Sequence, residues 1–252
     1  MNLLVVGAGE MGRWVADTAD AAVAFTDADP DVAADAAATR EARRVPTTTK
    51  EPFEAVCLAV PMSAIGDAVE TYAPLATEAI FDVSGVMADA LEAMNSHAPG
   101  LERASFHPLF APPRVPGNVA VVTAEDGPHL QDVREAMTDA GNTVFETTPA
   151  EHDSAMETVQ AGAHTAILAY ALAADSVREE FATPVSAQLE AVATTVTEGD
   201  PAVYAEIQET FAGAESVADA ARKIADADDE GFADLYDAAK RHLSVDGRER
   251  HE

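Results

Sequence analysis

Short apolar runs alternate with amphipathic stretches through the first 148 of the 252 residues. Residues 3–6, 22–26, 55–60, 79–83, 104–106, 119–123 and 143–146 are too short for helices and read as strands. Between them, 11–19, 30–42, 63–72, 88–96 and 128–140 read as helices, while 44–50 is too polar for a strand. Strand–helix alternation of this kind gives right-handed crossovers, so the expectation is an α/β domain over 1–148 with a doubly wound, mostly parallel sheet. From residue 149 the strand signal stops. Good helix formers with apolar spacings of three and four predict an all-helical domain over 149–252. Breaks are expected at Thr183-Pro184, Gly199-Asp200-Pro201, Gly213 and Gly231, and the polar tail from Asp246 is expected to fray. The first helix is predicted over 151–181. Its stripe of Met156, Val159, Ala163, Ile167, Tyr170 and Ala174 would suit burial against a second copy of the chain.

The first strand runs into Gly7-Ala8-Gly9-Glu10-Met11-Gly12, which opens a helix. G-x-G-x-x-G in that setting is the fingerprint of a Rossmann dinucleotide site. Gly7 permits the tight turn, Gly9 lets the backbone approach a pyrophosphate, and Gly12 lets helix and strand pack closely. The helix-start amides at Glu10 and Met11 would meet the phosphates with the favourable end of the helix dipole. Asp27, twenty positions after Gly7 and at the end of the second strand, would accept hydrogen bonds from ribose hydroxyls and repel a 2′-phosphate. This favours NAD over NADP, with Asp29 as the competing acid. Val60-Pro61 lies at the carboxyl end of another strand, where such sheets bind ligands.

Six segments in order, GAGEMG, LAVPMSAI, FDVSGVM, SFHPLFAPP, EHDSAMETVQAGAHTAILAYALA and EGDPAVYAEIQETF, resemble the prephenate dehydrogenases, particularly archaeal NAD-linked forms. The resemblance implies oxidative decarboxylation of prephenate to 4-hydroxyphenylpyruvate in tyrosine biosynthesis, with NAD as hydride acceptor. It implies a catalytic role for His107, whose imidazole can take a proton near neutral pH. It also implies that Gln160 and His164, four apart on one helix, contact the substrate, and that the protein is a homodimer. Asp153, at the start of that helix, reads equally well as a charge that favours the helix dipole.

Three departures from the family pattern bear on the substrate. The family reads aspartate, two residues, then Ser-Val-Lys; here Asp82 is followed by Val83-Ser84-Gly85-Val86-Met87, so Ser84 has moved one place and Met87 replaces the lysine. An arginine that would bind a substrate carboxylate is replaced by Thr195, which cannot make the bidentate charged contact. The family's asparagine-containing stretch is Phe211-Ala212-Gly213-Ala214. Ser84 remains a catalytic candidate, and Arg114, seven residues past His107, is the candidate anchor for a carboxylate; Arg103 is expected at the opposite end of its strand. Two alternatives stay open: a related NAD-linked dehydrogenase acting on arogenate or another small hydroxy acid, and a non-catalytic NAD-binding homologue.

Composition narrows the partners and the setting. No apolar run reaches the roughly 18 residues of a membrane span, the first residues lack a signal-peptide pattern, and Cys57 stands alone in an apolar run. No disulfide or cysteine metal site follows, and a reducing, cytoplasmic setting is expected. Acidic residues number 45 against 15 basic, for a net charge of −30, and the only lysines are Lys50, Lys223 and Lys240. Neither nucleic acid nor an anionic membrane would gain by binding such a surface. At about 1 M salt the Debye length falls to roughly 3 Å, which screens the self-repulsion. A halophilic setting is therefore expected, and the melting temperature should rise steeply between dilute buffer and molar KCl; a flat response in thermal melts would count against it.

Overall fold

The computed structural model describes residues 1–249. Its chain divides into two compact units, Met1–Ala155 and Met156–Glu252. The first contains β1 (Asn2–Val6), α1 (Glu10–Thr18), β2 (Ala22–Thr26), α2 (Pro30–Ala38), β3 (Arg43–Arg44), β4 (Phe53–Leu58), α3 (Ile65–Tyr72), β5 (Ala76–Asp82), α4 (Ala88–His97), β6 (Glu102–Pro108), β7 (Asn118–Glu125), α5 (Pro128–Asp139), β8 (Thr143–Glu146) and α6 (Pro149–Met156). The strands form one sheet in the order β3-β2-β1-β4-β5-β6-β7-β8. Every neighbouring pair is parallel except β6 and β7. Strand order reverses between β1 and β4, which puts the topological switch point there.

The inner strands are largely apolar runs because both faces of the sheet are covered there, whereas edge strands β3 and β8 are mostly exposed. Leu3 and Val5 of β1 join Phe25, Phe81 and Phe106 in one cluster. Leu4 and Val6 point the other way, to join Val56, Leu58, Ile80 and Met94. The polar stretch after residue 42 contributes only the two exposed residues of β3 at the sheet edge. Helix α2 ends four residues before the predicted boundary. There the Thr39 hydroxyl donates to the Asp35 and Ala36 carbonyls, competing with continuation of the helix.

In the second unit a π-helical segment, Glu157–Gly162, is followed by α7 (Ala163–Ala173), α8 (Pro184–Thr197), α9 (Pro201–Thr210), α10 (Gly213–Asp226) and α11 (Asp229–Glu249). The single helix expected over 151–181 is therefore interrupted and ends early. Asp175 and Ser176, both weak helix formers, follow the end of α7. At the interruption the first residue of α10 lies against the π segment. A Cβ on Gly213 would stand 1.9 Å from the Glu157 carbonyl oxygen and 2.5 Å from the Gly162 nitrogen. Three predicted breaks do mark helix starts. Thr183 and Ser186 form a reciprocal capping box for α8, and Asp200 accepts from the Ala202 amide at 2.9 Å. Gly231 instead lies inside α11, its N–H donating to Asp228 at 2.9 Å, so Asp228 marks that boundary. Of the tail expected to fray from Asp246, the part through Glu249 continues α11, and residues 250–252 lie outside the described residues.

The predicted apolar stripe is only partly covered: Met156 is buried, whereas Val159 and Ala174 are exposed. Leu172 is 88% exposed, and Val177, Phe181 and Val185 are exposed in the same stretch of chain. No helix among the described residues is long and apolar enough to cross a membrane.

Candidate active site

The carboxyl edge of the parallel strands gathers the chemistry-bearing residues of the first unit. Gly7 follows β1 with φ +93°, and a Cβ there would lie 2.1 Å from the Ala59 carbonyl oxygen. The turn is thus pressed onto the chain leaving β4, where the Ala59 amide donates to Val6 at 2.7 Å. A Cβ on Gly12 would lie 1.9 Å from the Gly7 carbonyl oxygen and 3.1 Å from Val5 Cγ1. A Cβ on Gly9, by contrast, would meet nothing within 4 Å beyond its chain neighbours. Two glycines are closed in by protein, and the third opens onto space at the start of α1, the helix carrying Glu10 and Met11. That is the shape a bound pyrophosphate needs: close backbone approach, N-terminal amides and no side chain in the way.

Asp27 is fastened to this turn. One carboxylate oxygen accepts from the Ala8 amide at 2.7 Å and the other from the Asp29 amide at 2.8 Å. Asp29 is instead the cap of α2, accepting from the Asp31 amide at 2.9 Å. Val60 and Pro61 follow β4, with Pro61 exposed before a short 3₁₀ turn, Met62–Ala64.

His107 lies near the carboxyl end of β6 and is buried. Its Nδ1 is 2.8 Å from Nε2 of His152, and Nδ1 of His152 is 2.9 Å from a carboxylate oxygen of Asp153. Both latter residues belong to α6. Burial, and secondarily the neighbouring imidazole, lowers the His107 pKa to about 3, so the ring is neutral at physiological pH. Sequence reasoning missed His152. Its motif was visible, but no pattern brings two histidines 45 positions apart into contact.

The loop after β5 departs from expectation. Ser84 donates its hydroxyl to Asp82 at 2.6 Å and its amide to the same oxygen at 3.0 Å. Burial pushes the Asp82 carboxyl up to about 6 despite these bonds. Gly85 stands against the catalytic candidate: its φ is +91°, and a Cβ there would lie 3.1 Å from His107 Nε2. The Ser84 hydroxyl is thus engaged by Asp82. Met87 is a fully buried core residue.

Arg114, itself exposed, ends a 3₁₀ turn, Pro112–Arg114. Arg103 holds the Ala98 and Leu101 carbonyls and Asn95 near the amino end of β6, the opposite end from His107. In the second unit, Gln160 lies in the π segment and His164 in α7, so a regular α-helical step does not relate them. His164 stacks edge-on against Tyr204 with centroids 4.7 Å apart, and its buried Nδ1 has no hydrogen-bond partner among the described residues. Thr195 is partly buried in α8.

No family model matches the chain. It is 29% identical to the 4-amino-4-deoxyprephenate dehydrogenase of Streptomyces pristinaespiralis over 220 residues, 78% of this chain and 72% of that protein. Its fold matches that of Aquifex aeolicus prephenate dehydrogenase in complex with hydroxyphenyl propionate and NAD+, with a TM-score of 0.71, 16% identity and coverage of 97% and 98% of the two chains. It also matches Synechocystis arogenate dehydrogenase, with a TM-score of 0.64, 14% identity and coverage of 100% and 94%. Fold and glycine turn define the class, a Rossmann-type dinucleotide-binding unit followed by a helical one. The solved structures share the chain's fold, and its sequence is similar to that of the Streptomyces pristinaespiralis enzyme.

The two perturbed buried groups tilt acid stability in opposite directions. His107 is lowered from 6.5 to about 3, so the unfolded chain binds the extra proton between those values. Its stabilising contribution is present above pH 6.5 and is lost as pH falls toward 3. Asp82 is raised from 3.8 to about 6, so its contribution is present below 3.8 and is lost as pH rises through 6. Between pH 4 and 6, Asp82→Asn should therefore gain stability with rising pH more steeply than wild type, and His107→Asn less steeply. Denaturant melts at fixed molar KCl measure this, and parallel slopes in all three proteins would refute the assignments.

Proposed function

We propose that the chain catalyses NAD-linked oxidative decarboxylation of prephenate, giving 4-hydroxyphenylpyruvate for tyrosine biosynthesis. The observation that carries this reading is the buried, neutral His107 at the sheet edge that also bears the Gly7–Gly12 turn. Bound NAD supplies the hydride acceptor. His107 Nε2 takes the substrate hydroxyl proton as the ring C–O bond becomes a carbonyl. Loss of CO2 sends the electrons of the broken C–C bond to that oxygen, and His107 returns the proton to the phenolate, so no net proton is released. Asp27, held on the glycine turn, favours NAD over NADP. Arg114 is the proposed carboxylate anchor, with Gln160 and His164 as further substrate contacts.

A second reading has the same chemistry on arogenate or on 4-amino-4-deoxyprephenate. The sequence relative favours it, as do Gly85 and Thr195 at positions where the family pattern carries serine and arginine. The discriminating assay follows NADH absorbance in molar KCl with each of the three substrates and with NAD or NADP. One substrate should turn over with NAD preferred, His107→Asn should lose about a hundredfold or more in kcat, and Arg114→Ala should raise KM. Tight NAD binding without turnover of any substrate would overturn the enzymatic reading.

We also propose that the protein is a homodimer joined through its helical unit, a face that would cover Leu172, Val177, Phe181 and Val185. Light scattering in molar KCl should give twice the 26.3 kDa chain mass, and Leu172→Glu with Val185→Glu should shift it toward the monomer. A monomeric wild type would refute this.

A further inference from the structure

His107 is useful as a base only if the lone pair of its neutral ring is on the nitrogen that the substrate reaches. We infer that His152 and Asp153 are positioning residues: an Asp153–His152–His107 relay that keeps the His107 proton on Nδ1 and its lone pair on Nε2. The direction follows from the partners. A carboxylate has no proton to give, so across the 2.9 Å contact His152 Nδ1–H is the donor. With that proton on Nδ1, the neutral His152 ring presents a lone pair at Nε2. Across the next contact, 2.8 Å, His107 Nδ1–H must then donate to it. The His107 lone pair is left on Nε2, the nitrogen that faces Gly85, where a side chain would come within 3.1 Å and the glycine provides none. The opposite order would aim the lone pair at His152 and a proton at the reacting group.

The relay also answers an energetic difficulty. Burial that drives His107 to about 3 makes its protonated form costly at the moment it takes the substrate proton. A carboxylate two hydrogen bonds away, reached through a second imidazole that is itself 2% exposed, stabilises that transient imidazolium without touching the substrate. All three residues belong to the first unit.

The inference rests on the proposed role of His107, so its test includes a readout that needs no substrate. With ¹⁵N-histidine label in molar KCl, long-range ¹H–¹⁵N correlation should show wild-type His107 as the Nδ1–H tautomer, the signal being assigned by its loss in His107→Asn. Asp153→Asn, nearly isosteric, should give a mixture of tautomers. With whichever substrate turns over, Asp153→Asn and His152→Leu should lower kcat by roughly tenfold to a thousandfold with little change in KM. His152→Gln, whose amide oxygen can accept from His107 Nδ1–H, should recover part of that loss. An Nε2–H tautomer in wild type, unchanged kcat in both variants, or an effect confined to KM would overturn the relay. If no substrate turns over, the substrate reading fails and the tautomer measurement still decides the relay.

Discussion

The turn after β1 has no room for a side chain at two of its three glycines, and the organisation of the sheet edge depends on that closeness. With the Gly7 backbone pressed against Ala59 and Gly12 pressed against Gly7, β1, β4 and α1 meet with only backbone between them. The same contact fixes Ala8, and Ala8 fixes Asp27 through a 2.7 Å hydrogen bond. The helix start, the acidic residue after β2 and the chain leaving β4 thereby become one rigid fixture at the topological switch point. Any larger residue at Gly7 or Gly12 would push these parts away from one another before it met a ligand.

At β5 and β6 the organising force is burial. Asp82 and His107 are both ionisable groups in a dry setting, and burial displaces both toward their neutral forms. Their hydrogen-bond partners differ in consequence. Ser84 gives Asp82 two donors and closes a local turn, whereas His152 gives His107 a connection to a carboxylate on another element. One arrangement shapes a loop, and the other supports the role proposed for His107. Gly85 links them, as the residue after the Asp82-bound serine and the one beside the His107 ring.

Much of this was legible in the chain. Strand runs such as 22–26 and 79–83 could be read directly, because two-sided burial requires uninterrupted apolar residues. The glycine fingerprint and Asp27 were legible because backbone sterics and charge impose them locally. The interruption at Glu157–Gly162 was not, since it depends on a glycine more than fifty positions later seating against it. The His107–His152 contact was hidden for the same reason: folding, not spacing, brings β6 and α6 together. The hydrogen bond from Ser84 to Asp82 was not legible either, since sequence alone does not show where a loop bends.

The net charge of −30 has a further consequence, one of encounter and not of stability. The proposed carboxylate substrate and pyrophosphate cofactor would be anions approaching an anion. In dilute solution the long-range field would deplete both from the surroundings of the protein and slow their arrival, the reverse of electrostatic steering. Concentrated counterions shorten that field to a few ångströms, so diffusion proceeds almost as it would toward a neutral body. The few local positive features, the amides at the start of α1 and the exposed Arg114, would then act only at contact distance, where in the proposed role they would select among molecules that have already arrived.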